Sequence, residues 1–172
     1  MNFISLHKRA ADSGFTLVEV LVALVVLSIG LLGLAALQLS SLQFNTNSLL
    51  RTQATVVAYD LIDRMRSNRA GFTADAYNVL SQSDAANILT NYNSCKASSC
   101  KCEGGTSACD SSTLALYDLG NWYEQTDRLL PGSKDKSQRP TISRNSATNE
   151  VTITINWFEK DVFQTKRWRV HL

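Results

Sequence analysis

The apolar positions of this 172-residue chain fall into four patterns in succession. From Phe15 to Leu39 about 25 residues are almost continuously apolar, and Glu19 is the single charge among them. From Leu42 to Ala70 no Pro or Gly occurs, and Leu50, Ala54, Val57, Leu61 and Met65 recur at helical spacing as one stripe. Arg51, Thr55, Asp63 and Arg66 fall on other faces, and Asp60 and Arg64 form an i,i+4 pair of favourable order. Arg64, Arg66 and Arg69 crowd the last turns, where cations suit the helix dipole. These features predict one helix from about Phe15 to about Ala70, near 80 Å long if unbroken, with Gly71 as its C-terminal cap. Residues 72–112 are rich in Asn, Ser, Ala and Thr and predict short helical or irregular pieces. A further helix is expected from about Thr113 to Leu130, capped by Ser111 or Ser112 and ended by Pro131-Gly132.

The last third alternates with period two. Val151, Ile153, Ile155 and Trp157 are interleaved with Thr152, Thr154 and Asn156, the pattern of a half-buried strand. A short strand over Thr141–Arg144 precedes it, across a turn-like Asn145–Glu150. After Glu159-Lys160-Asp161, a final strand carries Trp168, Val170 and Leu172 on one face and Arg167, Arg169 and His171 on the other. The expected fold class is α+β, a long N-terminal helix packed on a small C-terminal antiparallel sheet spanning 141–172.

The apolar run is long enough to matter on its own. At about 1.5 Å per residue it reaches about 37 Å, more than the hydrocarbon core of about 30 Å. A cleaved secretory signal needs a shorter apolar region and a small-residue cleavage site, and Leu34-Ala35-Ala36-Leu37-Gln38 is a poor match. A plain membrane anchor fits the length but leaves Glu19 without a reason, since an ionisable group in a spanning helix is costly and usually functional. Lys8 and Arg9 precede the run, so the N-terminus is expected on the cytoplasmic side and everything after about Leu39 on the other. Gly30 and Gly33 each cost about 1 kcal/mol against Ala in a helix interior. They mark either close helix–helix packing or a stretch able to unwind.

The basic leader, Gly14-Phe15-Thr16-Leu17, Glu19 five positions after Gly14, and the long apolar run together resemble the signal of type IV prepilins and type II secretion pseudopilins. The resemblance implies cleavage after Gly14 by a prepilin peptidase, N-methylation of Phe15, and a retained helix that forms a filament core. It also implies that Glu19 meets the N-terminal amine of a neighbouring subunit, because a charge entering an apolar core needs a partner. Four segments are then expected: a cleaved leader at 1–14, a transmembrane and filament-core helix at 15–39, its amphipathic continuation at 40–71, and a periplasmic globular domain at 72–172. Major pilins carry a proline in the first helix, and this chain has Ala36 in that region. The run Asp60-Leu-Ile-Asp-Arg-Met-Arg-Ser-Asn-Arg69, the segment Tyr117-Asp-Leu to Trp122 and Leu130-Pro131-Gly132, and the strand ending in Trp157 resemble the PilV-type minor pilins. The expected function is a minor pilin that helps to initiate or tip a type IV pilus. Its expected partners are other minor pilins, the major pilin, the prepilin peptidase and, before assembly, the inner membrane. Two alternatives stay open: a tip module binding DNA or a surface, and a minor pseudopilin of a secretion system.

Charge and cysteines refine this reading. Without residues 1–14 the chain carries 15 basic and 14 acidic residues, a near-balance that argues against a dedicated nucleic-acid binder. Lys166, Arg167 and Arg169 form a local basic run, a common device for guarding an edge strand. Cys95, Cys100, Cys102 and Cys109 are an even set within 95–109 and read as disulfide candidates of an exported domain, with three pairings possible. Their spacing lacks the paired C-x2-C of a zinc site, so no metal or other cofactor is expected. No catalytic residue is expected either. After residue 14 the single histidine is His171, and Gly104-Gly105 sits among cysteines rather than in a phosphate-binding loop.

Overall fold

The structure is a computed structural model that describes residues 14–97, 102, 109–132, 135, 137–160 and 162–172. The leader before Gly14, Cys100 and Gly104-Gly105 lie outside the described residues. The chain divides into two compact units, Met1–Asn45 and Thr46–Leu172. Helix α1, Leu17–Ser67, supplies the described helical residues of the first unit and opens the second.

In the first unit α1 starts where its sequence provides a cap. The Thr16 hydroxyl accepts a hydrogen bond from the Glu19 backbone N–H at 3.3 Å, and the Thr16 carbonyl takes the same N–H at 3.1 Å. Thr16-x-x-Glu19 is the sequence of a capping box, and Glu19 sits in the first turn, where the helix dipole favours an anion. The helix continues without interruption through Gly30 and Gly33, around which no other side chain approaches. Ser28, polar within the apolar run, turns its hydroxyl back onto the Leu24 carbonyl at 2.7 Å, which satisfies that hydroxyl within the helix.

The second unit is organised around the other part of α1. Ala54, Val57, Leu61 and Met65 of the expected stripe have no solvent exposure, Leu50 is partly buried against the core, and Ala58 and Ile62 widen the buried face. The helix then closes at Ser67, three residues earlier than the sequence pattern predicts. Asn68 leaves helical conformation (φ −102°, ψ 64°), and its side chain caps the short α2, Arg69–Thr73, by accepting the Gly71 N–H. Gly71 therefore lies inside α2 and is buried; it is not the cap of α1.

Helix α3, Gln82–Ala97, occupies part of the segment read from sequence as short or irregular. It is begun by a reciprocal cap. The Ser81 hydroxyl accepts the Asp84 N–H, and the Asp84 carboxylate accepts the N–H groups of Ser81 and Leu80. The Ser81 side chain first, and then the N–H groups of Ser81 and Leu80, hold the Asp84 carboxyl below the ordinary Asp range against the opposing effect of burial. Helix α4, Ser111–Leu129, is capped by Asp110, whose side chain accepts the Thr113 N–H at 2.6 Å; neither serine takes that role. Gly120 lets α3 and α4 approach closely, because a Cβ at this position would collide with the ring of Tyr92. The Tyr92 hydroxyl is anchored on Asn121 at 2.8 Å.

Three antiparallel strands follow in the order β1 (Thr141–Asn145), β2 (Glu150–Glu159) and β3 (Val162–His171). In β2, Val151, Ile153, Ile155 and Trp157 face the core and alternate with half-exposed Thr152, Thr154, Asn156 and Phe158. β3 starts at Val162, well before the apolar alternation that marks it in sequence, and pairs with β2 over ten consecutive positions. Trp122 fills the centre of the unit: it is fully buried, and its indole N–H donates to the Val57 carbonyl at 2.9 Å. The chain reaches the sheet through Pro131-Gly132, where φ is +86°, a conformation that favours glycine.

Candidate functional site

Gly14, Phe15 and Thr16 precede the helix and are exposed, and no described residue lies against Gly14. Phe15 is 82% exposed. The Gly14–Phe15 bond is thus a reachable peptide bond in non-helical chain, the kind of site a protease needs. An amine created on Phe15 would lie two residues before the first residue of α1, with Glu19, the anion of the first turn, four residues on. From Leu17 to Leu42 every large apolar side chain is exposed, Leu17 by 89%. The apolar residues surround the helix and do not form a stripe, and among the described residues of this unit nothing covers them. Such a helix is stable only where lipid or other apolar helices replace water.

The second unit holds two polar clusters that sequence reading missed. In the first, Asp118, nearly buried on α4, accepts from the Tyr77 hydroxyl at 2.6 Å and from Arg64 at 3.2 Å. Arg64 also donates to Asp60 at 2.9 Å. Asn68 donates to the Tyr77 hydroxyl at 3.1 Å and to the Ser111 carbonyl at 2.7 Å. Burial lowers the pKa of the Arg64 guanidinium, but its bonds to Asp60 and Asp118 outweigh that and raise it overall. Burial, then the bond to Asp118, pushes the Tyr77 hydroxyl well above the ordinary tyrosine range. The chemical role of the cluster is to tie α1, α2 and α4 together. The i,i+4 spacing of Asp60 and Arg64 exposed one edge of it in sequence; Asp118 and Tyr77 carried no local signal.

In the second cluster, Glu159 on β2 is only 5% exposed, yet it is held in two-point contact by Arg51 at 3.0 and 3.1 Å. The Trp157 indole N–H donates to the same carboxylate at 3.0 Å. The Arg51 contact, then that of Trp157, outweighs the effect of burial and keeps the Glu159 carboxyl below its ordinary range. The pair joins α1 to the end of the sheet hairpin.

Cys102 is bonded to Cys109, and Cys95 is also disulfide-bonded. Among the described residues no group of three or more His, Cys, Asp or Glu converges to hold a metal ion. His171, on which any histidine-dependent triad would rest, is exposed near the end of β3, 3.6 Å from Glu150. Asp60 and Asp63 engage Arg64 and Arg66 respectively and do not converge as an acid–base pair.

Comparison with known families adds two matches. The prokaryotic N-terminal methylation motif matches residues 9–35. The family described as Type IV pilin Tt1218 matches residues 36–120. Neither a curated protein nor a solved structure matches the chain.

Proposed function

The chain belongs to the type IV pilins, structural rather than enzymatic proteins, and within that family we propose that it is a minor pilin that helps to initiate or tip the filament. Its prepilin leader motif implies processing by a prepilin peptidase and assembly with other pilins. The motif and the apolar helix fit a subunit anchored in the inner membrane and later incorporated in a pilus.

The observation that carries the minor-subunit reading is the composition of α1. The helix runs unbroken through Gly30, Gly33 and Ala36, without the proline that major pilins carry in this region. A helix that keeps its backbone bonds suits a subunit present once or a few times, at an end of the filament. The resemblance of residues 60–69 and 117–132 to PilV-type minor pilins supports the same reading.

In this reading the peptidase cuts between Gly14 and Phe15, Phe15 is then N-methylated, and the part after about Leu39 is exported. A mature chain that does not begin with methylated Phe15 by mass measurement would overturn the assignment of that bond. Glu19 compensates the amine of a neighbouring subunit and so sets axial register. Glu19→Ala is expected to be processed normally but to be lost from sheared filaments, and wild-type incorporation of the variant would refute the role. The decisive test of the minor-pilin reading is a pilus count on cells lacking this chain, with and without retraction. Pili that disappear and return when retraction is blocked would support priming. Normal pili with failed protein secretion would assign the chain to the pseudopilins, and normal pili with lost adhesion or DNA uptake to a tip-binding role.

A further inference from the structure

The two edges of the sheet are not alike. The outer edge of β1 is occupied: Val79 and Ile142 exchange both backbone hydrogen bonds, at 2.8 and 2.9 Å. Beside them the Asn78 side chain takes the Arg144 backbone N–H at 2.9 Å. The outer edge of β3 has no strand or bridge against it among the described residues. An antiparallel strand directs the N–H and C=O of every second residue away from its neighbour, so a strand of this length presents a row of unpaired donors and acceptors.

Edges of this kind are usually closed by a bulge, a proline, a short length or charge. β3 has ten residues in continuous register with β2, no Pro or Gly, and no residue of positive φ. Charge alone remains, and it is of one sign. Lys166, Arg167 and Arg169 are exposed, residues 162–171 contain no Asp or Glu, and none of the three cations has a carboxylate partner among the described residues. Arg167 and Arg169 lie opposite Thr154 and Thr152 on the outer face, where Thr141, Ser143 and Asn156 add no charge and Glu150, opposite His171 at the end of the strand, adds a carboxylate. Lys166 points to the other face, 5.1 Å over the ring of Trp168. One-sign charge does not close an edge to every strand. It disfavours a second copy of β3 in the registers that set arginine against arginine, and favours a strand that brings carboxylates.

We propose that the free edge of β3 accepts an extended acidic segment of a different polypeptide as a fourth strand. Main-chain hydrogen bonds supply the affinity, and side-chain carboxylates beside Arg167 and Arg169 select the occupant. The inference does not rest on the chain's position in a filament.

The test uses the full chain in detergent micelles and a labelled, end-capped decapeptide alternating Val with Glu. This peptide is expected to bind, to weaken as salt is raised, and to slow hydrogen exchange at β3 amides. The double variant Arg167→Glu/Arg169→Glu is expected to bind it about tenfold more weakly, since two favourable cross-strand pairs become repulsive. Two control peptides make the result specific. The version with Lys for Glu should not bind. The Glu version N-methylated along its backbone keeps its charge but has no donors, and it should also fail. Equal binding of the methylated peptide would reduce the edge to a general anion attractor, for nucleic acid or any other polyanion, and would overturn the proposal. So would absence of binding by the parent peptide at low salt.

Discussion

Apolar side chains of α1 before Asn45 and after Leu50 are the same in kind and opposite in fate. Val20, Leu24 and Leu31 are at least 48% exposed, whereas Val57, Leu61 and Ile62 have no exposure. The difference lies in how the residues are distributed around the helix. After Leu50 most apolar residues keep to one stripe, Val56 and Tyr59 being the exposed exceptions, and Arg51, Asp60, Asp63, Arg64 and Arg66 share the other faces. A stripe can be buried by the domain that contains it, at about 1.5–3 kcal/mol for each large side chain. Before Asn45 the apolar residues occupy every face, and no single globular domain can cover them all. One helix therefore carries two instructions: a self-sufficient core in one part, and a requirement for an external apolar partner in the other.

The largest expected effect tests that division directly. Trp122→Ala removes the centre of the core and leaves a cavity against Val57, so the full chain in detergent should lose about 3–5 kcal/mol of unfolding free energy. Leu31→Ala, which removes an equally apolar side chain from the other part, should change the same unfolding by no more than about 0.5 kcal/mol. Similar losses at both positions would break the comparison.

A smaller effect is expected where helices meet within the core. Gly120→Ala should cost about 1–3 kcal/mol, because its Cβ meets the Tyr92 ring. Adding Tyr92→Leu should recover part of that loss, and a simple sum of two losses in denaturant unfolding would contradict the packing argument.

The smallest effect concerns pH. Glu159 is held below its ordinary pKa in the folded state by Arg51. The folded state thus binds the proton less readily than the unfolded chain. Its stabilising contribution is present above the unfolded carboxylate value of about 4.3 and is lost as pH falls through the lower folded value. Acid unfolding of Glu159→Gln should lack this component, giving a shallower loss of stability below about pH 4.3 than the parent shows. Identical slopes would remove Glu159 from the account.

The sequence made the strongest patterns readable. The apolar run is readable by its length and continuity, and the stripe from Leu50 to Met65 and the alternation from Val151 to Trp157 by their periods; α1 holds the first two and β2 the third. What escaped has no period. α3 is built from Asn, Ser, Thr and Ala, poor or neutral helix formers apart from Ala, and depends on the Ser81–Asp84 cap and on Tyr92 lodged against Gly120. The first half of β3 is an edge with both faces largely exposed, so Gln164, Thr165 and Lys166 show no alternation. The end of α1 moved because Asn68 turns its side chain to three backbone or hydroxyl groups, contacts that only the folded chain brings within reach. The motif around Gly14 and Glu19 was the reverse case. It was plain in sequence because it is a local signal, and its cap at Thr16 is equally local.

Asn68 also constrains how this chain can drift over generations. Its side chain accepts one hydrogen bond from Gly71 and donates two, to Tyr77 and Ser111, from a single short stem. Aspartate offers the acceptor without the donors, leucine matches the shape with neither, and glutamine has the same groups on a longer stem that displaces them from their three partners. No near neighbour in chemistry satisfies all three partners, so the position admits no conservative exchange. Losing this asparagine would release Gly71, Tyr77 and Ser111 at once and with them the α1–α2 junction.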